Sequence, residues 1–301
     1  MSNHDHAHGP ADFSRAFAIG IALNVGFVAI EAYYGWRVGS LALLADAGHN
    51  LSDVAGLVLA WVAALAGRFK PDHRHTYGWR RASILAAFAN AILLLVAMGS
   101  LAWEAVARLH SPTSTEGVTI IAVAAVGVVI NSITAALFMR GSSKDLNIRG
   151  AFLHMAADAL VSLGVVAAGV LYLWQGWEWL DPVASLAIAA VVVIGTWGLF
   201  RQSLHLLFDG VPDSVDLAEV ETYLLSQPGV EGVHDLHVWA MSTSDIALTA
   251  HLVMPGGHPG DGFLDALSDA LHDRFEIVHP TIQIELGRLD QGCSLPMPKS
   301  V

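Results

Sequence analysis

The stretch that decides the fold, residues 40–65, reads SLALLADAGHNLSDVAGLVLAWVAAL. It is apolar enough to lie in a bilayer, yet it carries His49 and Asp53, four residues apart. On an α-helix, residues with this spacing lie on one face, one above the other. A second apolar stretch, GAFLHMAADALVSLGVVAAGVLYLW, repeats the spacing with His154 and Asp158. Two apolar helices therefore each present an imidazole and a carboxylate.

These four side chains predict a metal site inside the membrane. An ionisable group in a bilayer costs about 2.5–3.5 kcal/mol on insertion scales, so it usually faces a cavity or a partner. Two imidazoles and two carboxylates supply the nitrogen and oxygen ligands of a tetrahedral zinc site, with no open position left for hydrolysis. One such pair alone could serve helix packing. Two pairs on separate helices favour metal binding by His49, Asp53, His154 and Asp158.

Protonation of the two histidines predicts a coupling between zinc and protons. A neutral imidazole binds metal and an imidazolium does not, so zinc and protons compete for His49 and His154. Asp46 lies one turn before His49 on a similar face. It serves either as a proton path or as a helix–helix hydrogen bond, and the structural role is favoured.

The composition is that of a polytopic membrane protein. Of the 301 residues, 54% are hydrophobic and only 14% are charged, and the mean hydropathy is +0.53, whereas soluble domains are about 25% charged. The single cysteine, Cys293, excludes an intrachain disulfide. The start of the chain, MSNHDHAHGP, lacks the pattern of a cleavable signal peptide. Its histidines, His4, His6 and His8, either attract metal or are incidental.

Six apolar segments each approach the ~20 residues that a spanning helix needs. They run roughly over 16–36, 41–66, 82–109, 118–139, 151–174 and 182–204. Most Lys and Arg residues fall in the tail and loops of one side, which predicts that both termini are cytoplasmic. At 1.5 Å per residue, the His–Asp pair of the second span lies about 12–20 Å from its outer end. The pair of the fifth span lies about 5–17 Å from its inner end, so the two pairs can meet near the midplane.

The last third of the chain reads as a separate acidic domain. From His205 onward lie 15 of the 27 acidic residues but only three of the 15 basic ones. This charge repels nucleic acid and attracts cations. The hydrophobic pattern predicts helices over 215–226 and 262–275 and strands over 233–241, 246–254 and 281–286. The order αββαβ favours a small ferredoxin-like α+β sandwich.

The predicted organisation thus has four parts. Residues 1–14 form a histidine-containing cytoplasmic tail, and residues 15–206 form a six-helix transmembrane domain. Residues 207–290 form a cytoplasmic metal-binding α+β domain, and residues 291–301 form a flexible tail that holds Cys293.

The run SLALLADAGHNLSD, its partner HMAADAL and the acidic C-terminal domain resemble the cation diffusion facilitator family. The resemblance covers nearly the whole chain. It implies a homodimeric antiporter that exchanges zinc or another divalent metal ion for protons. It also implies that His49, Asp53, His154 and Asp158 bind the transported ion, and that histidine at position 49 favours zinc.

The same resemblance implies a site in the C-terminal domain. The segments VHDLHVW, TAHLVM and IQIELG match the family's cytoplasmic site, with His234, His251 and Glu285 at ligand positions. Gln283 stands where some members carry a histidine, which favours a mononuclear site over a paired one. His237 is expected to lie behind the ligands or at the surface.

A third candidate site lies in the loop KPDHRHTYGWRRAS, between the second and third spans. Asp72, His73 and His75 are its candidate ligands by resemblance. Trp79 stands where certain bacterial members have another histidine, and a basic, solvated loop without metal is the favoured alternative.

Together these patterns predict a zinc exporter of the inner membrane, driven by proton antiport, with zinc also held in the cytoplasmic domain. Selectivity among zinc, cadmium, cobalt, iron and manganese stays open. An intramembrane metalloenzyme would need an open coordination position and a general base, and the sequence has no His-Glu-x-x-His motif. A membrane metal sensor without transport is the remaining alternative.

Overall fold

The computed structural model describes residues 13–111, 115–139 and 146–287. The described chain forms two compact units. One holds the residues up to 58 together with 90–198, and the other holds 59–89 together with the residues from 199 onward. The predicted tail histidines His4, His6 and His8, and Cys293 in the C-terminal tail, lie outside the described residues.

Six long helices precede the C-terminal domain. They are α1 (Phe13–Val38), α2 (Leu41–Gly67), α3 (Ala82–His110), α4 (Gly117–Met139), α5 (Leu146–Gln175) and α6 (Leu180–Leu207). Within the described residues, four stretches are long and apolar enough to cross a membrane: Ala82–His110, Gly117–Leu137, Met155–Gln175 and Leu180–Leu207. The protein is therefore a membrane-type helical chain with a smaller C-terminal domain.

Close helix packing in the first unit depends on a glycine. The helix α4 packs against both α1 and α5. A Cβ at Gly127 of α4 would lie 2.5 Å from Cζ of Phe27 on α1 and 3.1 Å from Oγ of Ser162 on α5. Small residues allow helix backbones to approach closely where there is no hydrophobic effect to drive association. Gly127 thus lets three helices meet beside the polar centre described below.

The start of α2 is fixed by a side chain from α6. Asp181 accepts hydrogen bonds from the backbone N–H groups of Leu41 (2.9 Å) and Ala42 (3.4 Å), and from the hydroxyl of Ser40. These N–H groups have no partner within the helix, and a carboxylate also favours the positive end of the helix dipole. Asp181 therefore sets where α2 begins.

The C-terminal domain contains α7 (Leu217–Leu225), β1 (Gly232–Ala240), β2 (Ile246–Val253), α8 (Asp261–Phe275) and β3 (Ile277–Glu285). The three strands form one sheet in the order β1-β2-β3. Strands β1 and β2 are antiparallel, and β2 and β3 are parallel. The parallel pair needs a crossover connection, which α8 supplies. Leu224, Leu248, Leu252 and Leu271 lie in the buried core between helices and sheet.

In the C-terminal domain, two elements begin two or more residues away from the predicted start, each for a local reason. The helix α7 begins at Leu217 and not at residue 215, because Asp216 caps it by accepting from the N–H groups of Ala218 and Glu219. The strand β3 begins at Ile277, four residues earlier than predicted. It contains Pro280, which weakens a strand prediction but is tolerated in β3, since β3 pairs with β2 alone in this sheet.

Candidate metal centres

The first candidate metal centre lies between α2 and α5, and we refer to His49, Asp53 and Asp158 as the helical centre. His49 Nε2 lies 3.4 Å from Asp158 Oδ1 and 3.8 Å from Asp53 Oδ2. One ligand atom from each residue lies within 4.8 Å of the others. A zinc ion needs ligand distances of about 2.0–2.2 Å. Small side-chain movements would therefore bring all three atoms into contact with one ion.

The fourth predicted ligand, His154, lies on α5 one turn before Asp158, so the two positions share a helix face. The side chain of His154 lies outside the part of the chain that the structure describes. The side chains of the other three predicted ligands are described, and the structure brings them together: His49, Asp53 and Asp158.

Exposure changes steadily across the helical centre. The Asp158 side chain is 2% exposed, that of His49 is 21% exposed and that of Asp53 is 39% exposed. The centre is therefore closed around Asp158 and open around Asp53.

Asp46 lies one turn from the helical centre, and its side chain is buried. Its Oδ2 accepts a hydrogen bond of 3.1 Å from Ser162 Oγ on α5. The structure therefore contains a helix–helix hydrogen bond at this position. Sequence reasoning did not single out Glu31, the one acidic residue in α1, which is also fully buried. An acidic residue within an apolar span was the available signal.

The second candidate centre lies on the sheet, and we refer to His234, His251 and Glu285 as the sheet centre. His234 of β1 faces His251 of β2 in the antiparallel register, and Glu285 ends β3. Glu285 Oε2 lies 2.8 Å from His234 Nε2, and its Oε1 lies 2.9 Å from His251 Nδ1. All three ligand atoms lie within 4.8 Å of one another. The structure thus brings together all three residues predicted for this domain.

The electrostatics of the sheet centre favour an ionised carboxylate. The hydrogen bond from His234 holds the pKa of the Glu285 carboxyl below its usual range, against a smaller opposing effect of burial. The charges of His234 and His251 and the amide of Gln283, which donates to Glu285 Oε1 at 3.0 Å, act in the same direction as the hydrogen bond. An ionised Glu285 is the form that binds a cation.

Asp235 is a residue of this centre that sequence reasoning missed. Its Oδ2 lies 3.5 Å from His251 Nε2, and its Oδ1 lies 3.1 Å from Nε2 of the exposed His237. Its backbone has a φ of 51°, in the left-handed region, and the β1–β2 register shifts between His234 and His237. A bulge of this kind changes the direction in which a side chain points. The alternation of polar and apolar residues along a strand does not predict where a bulge occurs.

The predicted loop ligands are brought together only in part. Asp72 accepts from the backbone N–H groups of Arg74 and His75 and lies 3.3 Å from His75 Nδ1. These backbone hydrogen bonds hold the pKa of Asp72 below its usual range. The His75 ring stacks on Trp79. Among the described residues, the helical and sheet centres are the clusters with metal-ligand spacing, and Asp72, His73 and His75 do not form a third.

Comparison with known proteins follows this division of the chain. Residues 17–208 match the family described as the cation efflux transmembrane domain. The chain belongs to the cation efflux family. Residues 212–286 match the family described as the cation efflux protein, cytoplasmic domain. The resemblance seen in the motifs is confirmed, and the protein is a membrane-spanning transporter and not an enzyme.

Several relatives of this cation efflux protein are similar over nearly their whole length. It is 38% identical to the cation efflux system protein CzcD of Alcaligenes sp., over 97% of this chain and 92% of the relative. It is 37% identical to the zinc transporter ZitB of Escherichia coli, over 94% and 91%. It is 32% identical to the cadmium, cobalt and zinc/H(+)-K(+) antiporter of Bacillus subtilis, over 93% and 91%.

Proposed function

We propose that this protein exports a divalent metal ion across the cell membrane in exchange for protons, with zinc as its main substrate. The observation that carries the proposal is the helical centre, in which His49, Asp53 and Asp158 from two helices face one another. In the proposed site His154 completes the set from the next turn of α5. Alternating access would expose this site to each side of the membrane in turn.

The ligand chemistry supports zinc as the substrate. Imidazole nitrogen and carboxylate oxygen together suit zinc and other first-row metals, whereas magnesium and calcium prefer oxygen alone. The carboxylates of Asp53 and Asp158 supply the negative charge that a divalent cation needs inside a bilayer. The names of the Escherichia coli and Bacillus subtilis relatives both include zinc.

Proton coupling follows from the presence of histidine among the ligands. An imidazole that binds a proton cannot bind the metal, so each ion released leaves a group free to carry protons back. The name of the Bacillus subtilis relative, which includes H(+), supports this exchange.

We propose six transmembrane spans with both termini in the cytoplasm of the cell, in the inner membrane where the cell has two. At 26 and 27 residues, α1 and α2 exceed the ~20 residues that a span requires. The side of the loop between α2 and α3 has independent support. Arg80 of this loop lies 2.7 Å from Asp245 of the C-terminal domain, and Thr243 N donates to Ser83 Oγ. A loop bonded to the domain that matches the family's cytoplasmic domain belongs on the same side.

For the C-terminal domain we propose a ferredoxin-like fold over residues 207–290, a resident zinc ion and a homodimer. The parallel and antiparallel pairings of β2 and the crossover through α8 support the fold. The donors of the sheet centre, two imidazoles and one carboxylate within 4.8 Å, fit zinc. The boundaries 15–206 for the membrane domain, and 1–14 and 291–301 for the tails, complete the proposed organisation.

Zinc flux into proteoliposomes of the purified protein, with and without an imposed pH gradient, tests this proposal. The proposal predicts flux that the gradient accelerates and that His49→Ala abolishes. Tight zinc binding without flux under either condition would contradict transport and favour a membrane metal sensor.

A further inference from the structure

Two acidic side chains close to the helical centre have no part in the proposed ligand set. Glu31 on α1 and Asp46 on α2 both have no exposed surface. The Glu31 carboxyl faces Asp46 and Asn50, and Asp158 contributes to its electrostatic surroundings. We refer to Glu31 and Asp46 as the acidic pair. The pair joins α1 to the helix that carries His49.

The polar atoms of this region have unmet hydrogen-bonding capacity. Asp46 Oδ2 accepts from Ser162, but Asp46 Oδ1 and both oxygens of Glu31 have no hydrogen-bond partner within 3.5 Å among the described residues, although Glu31 lies near enough to Asp46 and Asn50 to interact with both. The same holds for Nδ2 of Asn50, a residue that is only 5% exposed. Buried polar atoms are almost always hydrogen-bonded, and a buried carboxylate needs a compensating charge. Three unpartnered carboxylate oxygens on two side chains that face each other indicate a ligand position.

The chemistry of the acidic pair is that of a weak cation site. Two carboxylates from different helices supply oxygen ligands, and the Asn50 amide can turn its oxygen or its N–H groups toward them. Without an imidazole, such a site binds zinc less strongly than a site with nitrogen ligands. An ion that reaches the acidic pair can therefore leave again, which a transport path requires.

The acidic pair lies on the outward side of the helical centre in the proposed topology. Asp46 precedes His49 by three residues, which is about 4.5 Å along the helix axis toward the outer end of α2. Two divalent ions this close together repel strongly. The helical centre and the acidic pair would therefore be occupied in turn and not together.

We propose that Glu31 and Asp46 form a second cation subsite, which receives the divalent ion from the helical centre on its way out of the cell. This inference rests on the proposed function. It differs from that function in requiring a carboxylate on α1, a helix that supplies no ligand to the helical centre.

The test is isotope exchange by the full-length protein. Proteoliposomes loaded with unlabelled zinc receive the same concentration of ⁶⁵Zn²⁺ outside at equal pH, so labelled ions cross without net proton transfer. The variant Glu31→Gln keeps the shape of the side chain and removes its charge. Its exchange rate should fall by about 10–100-fold, the usual effect of losing a group that supports a metal site. Glu104→Gln, the same change at an exposed position, should exchange like the wild type.

Zinc affinity and the response to a pH gradient distinguish a cation subsite from other roles of Glu31. Zinc affinity of the helical centre, measured by chelator competition in protein that lacks the sheet-centre histidines, should change by less than about twofold in Glu31→Gln. Normal exchange in Glu31→Gln would overturn the inference. Normal exchange with loss of the response to a pH gradient would also overturn it, because Glu31 would then handle the proton and not the metal. Absence of exchange in the wild type would instead contradict the proposed function.

If Glu31→Gln does not fold, Glu31→Asp and Asp46→Asn decide the question. Glu31→Asp keeps a carboxylate and should exchange faster than Asp46→Asn, which removes one. Equal exchange rates in these two variants would overturn the inference.

Discussion

Asp235 is predicted to position a ligand of the sheet centre. His251 has one ring nitrogen, Nδ1, 2.9 Å from Glu285 and the other, Nε2, 3.5 Å from Asp235. A metal-binding histidine commonly donates its second N–H to a carboxylate, which fixes the tautomer and the ring orientation. If the proton of His251 sits on Nε2, which lies 3.5 Å from Asp235 Oδ2, the lone pair of Nδ1 is left for the proposed ion.

The perturbation that isolates this role is Asp235→Asn. The backbone φ of 51° is one that Asn adopts readily, so the bulge in β1 is kept. The amide removes the negative charge behind His251. Loss of such a supporting group typically lowers metal affinity by about 10–100-fold. That factor corresponds to about 1.4–2.7 kcal/mol of binding free energy.

Chelator competition for zinc on the full-length protein measures the effect, in an Asp53→Asn, Asp158→Asn background that removes the helical centre. The matched control is Asp265→Asn, at an exposed position of α8. Affinity that differs by less than about twofold between the two variants would refute the positioning role of Asp235.

Three further predictions concern pH, capping and packing. Because the His234 hydrogen bond lowers the pKa of Glu285, the stabilisation from this carboxylate is present above its ordinary pKa and is lost as pH falls through the lowered value. The melting temperature of the zinc-free protein should therefore fall more in this pH range than that of Glu285→Gln, and equal falls would contradict the contribution of this carboxylate. Asp181→Ala removes the cap of α2 and should destabilise the protein by about 0.5–2 kcal/mol. The loss should appear as a lower melting temperature in detergent. An unchanged melting temperature would contradict the capping role. Gly127→Ala places a Cβ 2.5 Å from the Phe27 ring and should cost about 1–3 kcal/mol. Gly164→Ala, with no atom within 4 Å, should instead stabilise its helix by up to about 1 kcal/mol. Equal melting temperatures of the two variants would contradict the packing role of Gly127.

The sequence predicted those parts of the fold that depend on local pattern. Long apolar runs gave the six helices, and the change from continuous apolar runs to short alternating segments gave the αββαβ order of the C-terminal domain. The element ends were less predictable, because a single contact decides each one. The side chain of Asp216 delays α7, and the edge position of β3 admits Pro280.

The candidate sites divide in the same way. The i,i+4 spacing of His49 and Asp53 is a local signal, and family resemblance added His234, His251 and Glu285. Contacts between residues that are far apart in the sequence leave no local pattern from which they could be predicted. Asp181 reaches α2 over 140 residues of sequence, and the contact of Glu31 with Asp46 likewise joins two different helices.

The bulge at Asp235 was hidden for a different reason. Strand prediction assumes that side chains alternate between the two faces of a sheet. A residue with left-handed backbone breaks that alternation, so Asp235 reaches the ring of His251 from a position assigned to the other face.

We propose that the ion crosses the membrane through the helical centre, and Asp158→Asn tests this proposal most directly. Asp158 is the most buried of the proposed ligands whose side chains the structure describes, and Asn keeps its shape while removing its charge. The decisive measurement is gradient-driven zinc flux in proteoliposomes that contain equal amounts of folded Asp158→Asn or of the control Asp265→Asn. Transport through the helical centre predicts that Asp158→Asn carries no zinc above protein-free liposomes while the control transports like the wild type. Equal flux in the two variants would contradict it.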